Sequence, residues 1–216
     1  MTDIDRAFLA AEKAKLPVSR ETAERLALYV ALLRQWNPSK NLVSASTLDH
    51  VWDRHIADCL QLAAISPARH WVDMGSGGGL PGLILAAVLA ERGGAVHCIE
   101  SKLGKAAFLR EAGRHMKVPV VVHPERIEAV LNHWPTDRPV EVVTARALAP
   151  LPQLLTLGKT LLKSRTIGLF PKGQDVDAEL TEATKYWNFN HELRASVTDP
   201  AARIVLVSDL AERPSS

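Results

Sequence analysis

Cysteine is scarce in this 216-residue chain: two occur, Cys59 and Cys98, each inside an apolar pattern. Neither a disulfide framework nor a cysteine-type zinc site is indicated, and each thiol is expected to be a small buried hydrophobe. Long apolar runs are missing too. No uninterrupted apolar span approaches the roughly 20 residues of a membrane helix. The opening "MTDIDRAFLAAEKAK" does not have the basic, apolar and cleavage-site order of a signal peptide. A cytoplasmic protein is expected, with no membrane contact. Nor does one sign of charge dominate: 26 Lys and Arg stand against 24 Asp and Glu, and residues 1–70 repeat the balance with nine basic and eight acidic side chains. A nucleic-acid partner would have to be held by a local patch.

What is present is ordinary for a globular domain: 47% hydrophobic and 23% charged residues, enough for a sizeable core. Two regimes follow each other. Residues 3–66 are helical in pattern, with breaks at "LPVS" (16–19) and "WNPSKN" (36–41). Ser19 is placed to cap a helix reaching Trp36, in which Leu26, Tyr29, Val30 and Leu33 share a face. Ser46 or Thr47 can cap a further helix, "LDHVWDRHIADCLQLAA", with Asp49 completing a capping box. From "SPARH" onward strands alternate with helices. Apolar, β-rich runs lie at 71–74, 95–100, 119–123, 140–144 and 166–170, with a helix over 102–117. "ELRASV" and "RIVLVSD" are close enough for a terminal hairpin, and "AERPSS" reads as a frayed tail. The pattern predicts a helical extension over 1–66 and an α/β domain over 67–216, with a mostly parallel sheet covered on both faces.

The densest feature is "WVDMGSGGGLPG", with four glycines in five positions between an apolar strand and a helix opened by Pro81 and running to about Arg92. Glycine is costly in ordinary structure, so such a cluster marks a tight turn or a close ligand, and backbone N–H groups at a helix start suit an acceptor. Ligands of open α/β sheets bind beyond the carboxyl ends of the strands. That rule selects Asp73 to Gly79, Glu100 with Ser101, Arg146, and Lys172 with Gly173. Glu100 is placed to accept both hydroxyls of an adenosine ribose. Gly77, Gly79 and Gly82 also form a literal G-x-G-x-x-G, which admits NAD and an oxidoreductase. Asp73 weighs against that reading, because a carboxylate facing a diphosphate in low dielectric repels it. The same carboxylate suits S-adenosylmethionine, which carries a sulfonium and an amino group and no phosphate. A plain reading also stands, in which the glycines turn the chain and Glu100 is a solvated strand end.

The segments "NLVSASTLDHVWDRHIADCLQL", "VDMGSGGGLPG", "IESKLGKAAFL", "PERIEAV", "VVTARALAPL" and "FPKG", in this order over residues 36–173, resemble the bacterial small-subunit rRNA guanine-N7 methyltransferases, the glucose-inhibited division protein B family. The resemblance implies a class I methyltransferase fold, Rossmann-like, with a seven-stranded sheet and an N-terminal helical extension. It also implies S-adenosylmethionine as donor and 16S rRNA as substrate, within the small ribosomal subunit or its precursor; a monomer is expected. The donor would be contacted by Gly75, Ser76, Gly77, Gly79 and Leu80 of the loop, with Asp73 before it, by Glu100, by Ile127 and Glu128, and by Arg146. Glu100 stands where some members have Asp, and Thr-Ala-Arg stands where Ser-Arg is common.

Other residues keep two readings. His55 and Asp58 lie three apart on one predicted helix that Asn41 precedes, so they could line a guanine pocket or brace the glycine loop. Alternatively Arg54 and Asp58 form a surface pair and His55 is a satisfied interior histidine. Lys172 is either a solvated strand end or, with Arg146, a contact to the RNA substrate. Trp36, Trp52 and Trp71 are expected in the core. After the fourth strand, "TARALAP" lacks the (Asn/Asp)-Pro-Pro-(Tyr/Phe) motif of exocyclic amine methylation, and neither cysteine ends a strand, as carbon methylation of pyrimidines would need. An acceptor with its own lone pair, such as guanine N7, fits. No general base is expected, and Asn41, His55 and Asp58 are left as orienting candidates. A donor-binding ribosome-assembly factor without turnover is the alternative in kind.

Overall fold

The computed structural model describes residues 1–163 and 165–213. Near the amino terminus, α1 (Asp3–Lys13) opens with a capping box between Thr2 and Asp5, and α2 (Arg20–Lys40) is capped by the Ser19 side chain, which accepts from Thr22 N at 3.0 Å. Contrary to the expected break at 36–41, α2 continues through Trp36, Asn37 and Pro38. Pro38 lies in the last turn, so the helix has little length left to lose. Asn41 ends it in the left-handed conformation, at φ 49°, which asparagine tolerates. The Asn37 side chain then accepts from Leu42 N and Val43 N at 2.8 and 2.9 Å.

The single helix expected after Thr47 is instead three pieces: α3 (Ala45–Leu48), a π-helix (Trp52–Ala57) and α4 (Asp58–Ile65). Ser44 precedes α3, and Asp49 follows it as a C-cap, so the predicted capping box does not form. π-Helical turns are rare and gather at functional sites.

The sheet contains β1 (His70–Met74), β2 (Ala95–Ile99), β3 (Val120–His123), β4 (Val142–Thr144), β5 (Ile167–Lys172), β6 (Trp187–Ala195) and β7 (Arg203–Glu212). Its order is β3-β2-β1-β4-β5-β7-β6; β7 runs antiparallel to β5 and β6, and the other pairings are parallel. The terminal hairpin therefore inserts its second strand beside β5. Ala211 and Glu212 of the expected frayed tail belong to β7, and residues 214–216 lie outside the described residues.

Connecting helices are α5 (Gly82–Leu89), α6 (Leu103–Met116), α7 (Ile127–Asn132), α8 (Leu151–Gly158) and α9 (Val176–Ala183). Pro81 sits just before α5, after a cis Leu80–Pro81 peptide. All eight residues of α5 are buried, as an all-apolar helix requires. Strand side chains divide between two cores by parity. Trp71, Val96, Cys98 and Val142 face α5, α6 and the N-terminal helices, whereas Val72, Met74, Ile99 and Val143 face α7, α8 and α9. This is the expected Rossmann-like methyltransferase architecture with an N-terminal helical extension.

Candidate functional site

Neighbouring strands β1 and β4 are followed by helices on opposite faces of the sheet, α5 on one and α8 on the other. The chain parts there, and parting chains leave a crevice at the strands' carboxyl ends. A cavity of about 650 Å³ occupies it, within the range that holds a nucleoside-sized ligand. Its floor is the glycine loop, residues 75–78, with Leu80. Its walls are Leu42, Val43, Ser44 and Thr47 from the N-terminal extension, Glu100 to Lys102 after β2, Glu125 to Glu128 after β3, and Arg146 to Leu148 after β4.

The loop is shaped by backbone that only glycine adopts easily: φ is +70° at Gly75, +55° at Gly77 and +83° at Gly79. At Gly75 and Gly79 a Cβ would strike Leu148 or Leu83 at 2.7 and 2.5 Å, whereas at Gly77 it would meet only the Gly75 carbonyl oxygen, at 3.8 Å. Gly77 is thus bare toward open space, which is what close approach of a ligand requires. Glu100, 8% exposed, fixes the loop: Oε2 accepts from Gly77 N at 2.9 Å and Oε1 from Lys102 N at 2.8 Å. Each carboxylate oxygen has a second lone pair, so ribose hydroxyls can still be accepted. From beneath, the fully buried Tyr29 donates to the Gly78 carbonyl at 2.7 Å.

Asp73 is placed behind the loop. It is 0% exposed and does not line the cavity; Oδ2 accepts from Gly82 N at 2.9 Å, and Oδ1 has no hydrogen-bond partner. Burial raises its pKa to about 7, with Glu100 adding to the rise and Ser76, Gly82 and Arg146 opposing it. The direct contact with a cationic ligand expected from sequence is replaced by a tie between β1 and the start of α5. Gly79 likewise shapes the loop without lining the cavity.

Arg146 is held by three groups from the π-helical region. Its Nε lies 2.8 Å from Asp58 Oδ2, and Nη2 donates to the Arg54 carbonyl at 2.7 Å and to His55 Nδ1 at 3.0 Å. Arginine has no acceptor, so His55 Nδ1 must carry the lone pair and Nε2 the proton. Nε2 therefore donates to Thr47 Oγ1 at 3.0 Å, and that hydroxyl donates onward to the Ser44 carbonyl at 3.0 Å. Burial, and then the Arg146 charge, lower the His55 pKa to about 4.

His55, which also lines the cavity, and Asp58 thus brace Arg146, and neither hydrogen-bonds to the glycine loop. The surface pair Arg54–Asp58 does not form, since Arg54 lies 3.4 Å from Asp199 instead. Asn41 is exposed and does not line the cavity; the buried amide in that segment is Asn37. Lys172 is not a free cation at the ligand edge. Its side chain is 8% exposed, 2.6 Å from Glu179 Oε2, and donates to the Ala149 carbonyl at 2.9 Å. Gly75, Ser76, Gly77, Leu80, Glu100, Ile127, Glu128 and Arg146 are brought together around one cavity. In the sequence Tyr29 reads only as a helix-face residue, because its hydroxyl partner lies 49 residues away, and Thr47 only as a cap, because its link to His55 depends on the break between α3 and the π-helix. Both cysteines are buried and free, and Trp71 and Trp52 are core residues.

Residues 22–204 match the family described as GidB, rRNA small subunit methyltransferase G. The chain is 53% identical to the ribosomal RNA small subunit methyltransferase G of Methylobacterium radiotolerans, over 98% of each chain. With the protein of that name from Methylorubrum populi the identity is 54%, over 90% of this chain and 92% of the relative. A solved structure of MtNAS in complex with MTA and tNA shares the fold at a TM-score of 0.57 and 15% identity, covering 84% of this chain and 70% of that one. With a family match across most of its length and close relatives along nearly all of it, the chain belongs to the rRNA small subunit methyltransferase G family.

Proposed function

We propose that the cavity between β1 and β4 holds S-adenosylmethionine and that Arg146 forms its border with the acceptor base. As a member of its family the protein is an S-adenosylmethionine-dependent methyltransferase that methylates guanine N7 in 16S rRNA. The observation that carries the placement is Gly77, bare toward open space beside the Glu100 carboxylate. Glu100 would accept the ribose hydroxyls, Gly75, Ser76, Gly77 and Leu80 would lie against the donor, and Ile127 and Glu128 would close its far side. S-Adenosylmethionine supplies a methyl group on a cationic sulfur.

Guanine N7 offers an in-plane lone pair and no proton to lose. The protein's task is accordingly to align acceptor and donor and to exclude water. His55 agrees with this division of labour. Both its ring nitrogens are occupied, one by Arg146 and one by Thr47, so it positions rather than takes a proton. Arg146, already neutralised by Asp58, presents a fixed guanidinium at the border. Residues 67–216 would form the methyltransferase domain and 1–66 the extension that walls the cavity. We further infer that a monomer acts in the cytoplasm on the small subunit or its precursor; among the described residues no helix is long and apolar enough to cross a membrane.

The test is methyl transfer to small subunits lacking the modification, read by nucleoside mass spectrometry. The expected product is N7-methylguanosine. Methyl on an exocyclic amine, on ribose or on a pyrimidine carbon would overturn the acceptor. Glu100→Ala and Gly77→Val should both weaken donor binding in calorimetry, the first by about 2–4 kcal/mol; unchanged affinity in both would overturn the donor site.

A further inference from the structure

We propose that Lys40, Lys102 and Lys105 form a phosphate-binding rim at the cavity mouth, which grips the RNA backbone beside the nucleotide being methylated. The inference rests on the methyltransferase reading above. Lys102 and Lys105 line the cavity. Lys40, the last residue of α2, lies against Gly104 between them, so that a Cβ at Gly104 would stand 3.3 Å from Lys40 Cδ and 3.8 Å from its Nζ. Three ammonium groups therefore share one edge of the site, contributed by two segments about 60 residues apart in the chain.

Stability does not explain the arrangement. None of the three pairs with a carboxylate among the described residues, although thirteen other ion pairs occur there. Lys102 is the N-cap of α6 and Lys105 stands in its first turn, where the helix dipole is positive and cations are disfavoured. That turn contains no acidic residue, and the cap makes no side-chain hydrogen bond. Two of the charges stand at an unfavourable helix end, and the third, Lys40, is brought against that turn from the last turn of α2, with no carboxylate among the described residues paired to any of them; together they suit an anion from outside.

The donor does not suffice as that anion, since it brings one carboxylate against three ammonium groups and is cationic overall. An RNA strand entering the same cavity brings phosphates to its mouth. Leu103, between Lys102 and Gly104 and 72% exposed, gives the rim an apolar surface that a ribose or base would cover. Lys172, the other candidate for this contact, is already held by Glu179, so the rim lies on the β2 side of the cavity and not on the β5 side.

The test compares the intact protein with a triple variant, Lys40→Gln, Lys102→Gln and Lys105→Gln, binding 16S rRNA across a salt series. A control is Lys15→Gln, exposed beside Arg69 and Arg92 at the far end of the sheet. The triple variant should lose roughly ten- to a hundredfold in RNA affinity, and its log–log salt slope should fall by about 2–3. The control's salt slope should stay unchanged, and donor affinity by calorimetry should change far less than RNA affinity. An unchanged slope in the triple variant, an equal loss in the control, or a loss of donor affinity instead of RNA affinity would each overturn the rim. Failure of the wild-type protein to bind donor or transfer methyl would instead count against the methyltransferase reading, so the two failures are distinguishable.

Discussion

The hydroxyl of Tyr29 donates to the Gly78 carbonyl at 2.7 Å, joining the middle of α2 to the glycine loop 49 residues further along. The ring packs against Phe108, 6.3 Å away between centroids, and is fully buried. The N-terminal extension therefore holds the loop from beneath as well as walling the cavity. Tyr29→Phe keeps the ring and leaves a buried carbonyl unpaired, a loss of about 1–3 kcal/mol. Chemical denaturation should show that loss, and calorimetry should show weaker donor binding because the loop is less fixed. Full stability together with full donor affinity would mean that the hydrogen bond contributes nothing.

Asp58 is the carboxylate that neutralises Arg146, and it also accepts from Gln61 Nε2 and Thr198 Oγ1. Both ends of the ion pair are largely covered, with side-chain exposures of 20% and 15%. Removing one member leaves a poorly solvated charge. Asp58→Ala should cost about 2–3 kcal/mol of stability and should lower methyl transfer at least tenfold by freeing Arg146. Donor affinity should hold, because the glycine loop and Glu100 are untouched. A variant that loses donor binding and keeps turnover per bound donor would contradict this division.

Much of this was legible in the sequence, for reasons that differ by residue. Strand β1 and the loop after it were readable because the signals are local: an apolar run, glycines where φ must be positive, and Glu100 a fixed distance on. The insertion of β7 between β5 and β6 was not, because pairing order depends on contacts remote in the chain. Asp73 illustrates a subtler gap. Its position pointed to the ligand, but a strand's side chains alternate, and that parity turns Asp73 toward Gly82 and Cys98 behind the loop. Lys172 was read at the right edge of the sheet, yet Glu179, seven residues later on α9, takes its charge. The π-helix is not legible because the sequence over 52–57 fits an α-helix equally well, and the Arg146 that contacts the Arg54 carbonyl and His55 lies about 90 residues further on.

Acid should act on the site through His55. Its folded pKa is lowered to about 4 from an ordinary value of 6.5, so between those values the unfolded chain binds the proton more readily. The stability contributed by neutral His55 is complete above about pH 6.5 and is lost as pH falls toward 4. Protonation also puts a hydrogen on Nδ1, against the Arg146 donor. His97, lowered to about 4 by burial and by His123, shifts stability in the same direction, and Asp73, raised to about 7, shifts it in the opposite one, so the wild-type curve alone does not isolate the effect. Melting temperatures of wild type and His55→Gln, compared from pH 7 to pH 4, should converge as the pH falls. Parallel curves would show that His55 does not titrate in this window.

The last prediction separates a glycine of the loop, Gly77, from the first residue of α5, Gly82, by what a methyl group would meet. At Gly82 the backbone is ordinary and alanine is the better helix former, but its Cβ would lie 2.5 Å from Cys98 Sγ and 2.7 Å from Asp73 Oδ2. Both neighbours are fully buried and cannot step aside. Gly82→Ala should therefore destabilise by about 1–3 kcal/mol through overpacking, and adding Cys98→Ala should restore part of the loss by removing the sulfur. At Gly77 the added methyl meets only a carbonyl oxygen at 3.8 Å, so Gly77→Ala should cost about 1–2 kcal/mol from its left-handed φ alone. Its methyl would face the space assigned to the donor. Donor affinity relative to stability should thus fall more for Gly77→Ala than for Gly82→Ala, as calorimetry beside denaturation would show. The reverse order would place the donor against α5 instead of the loop.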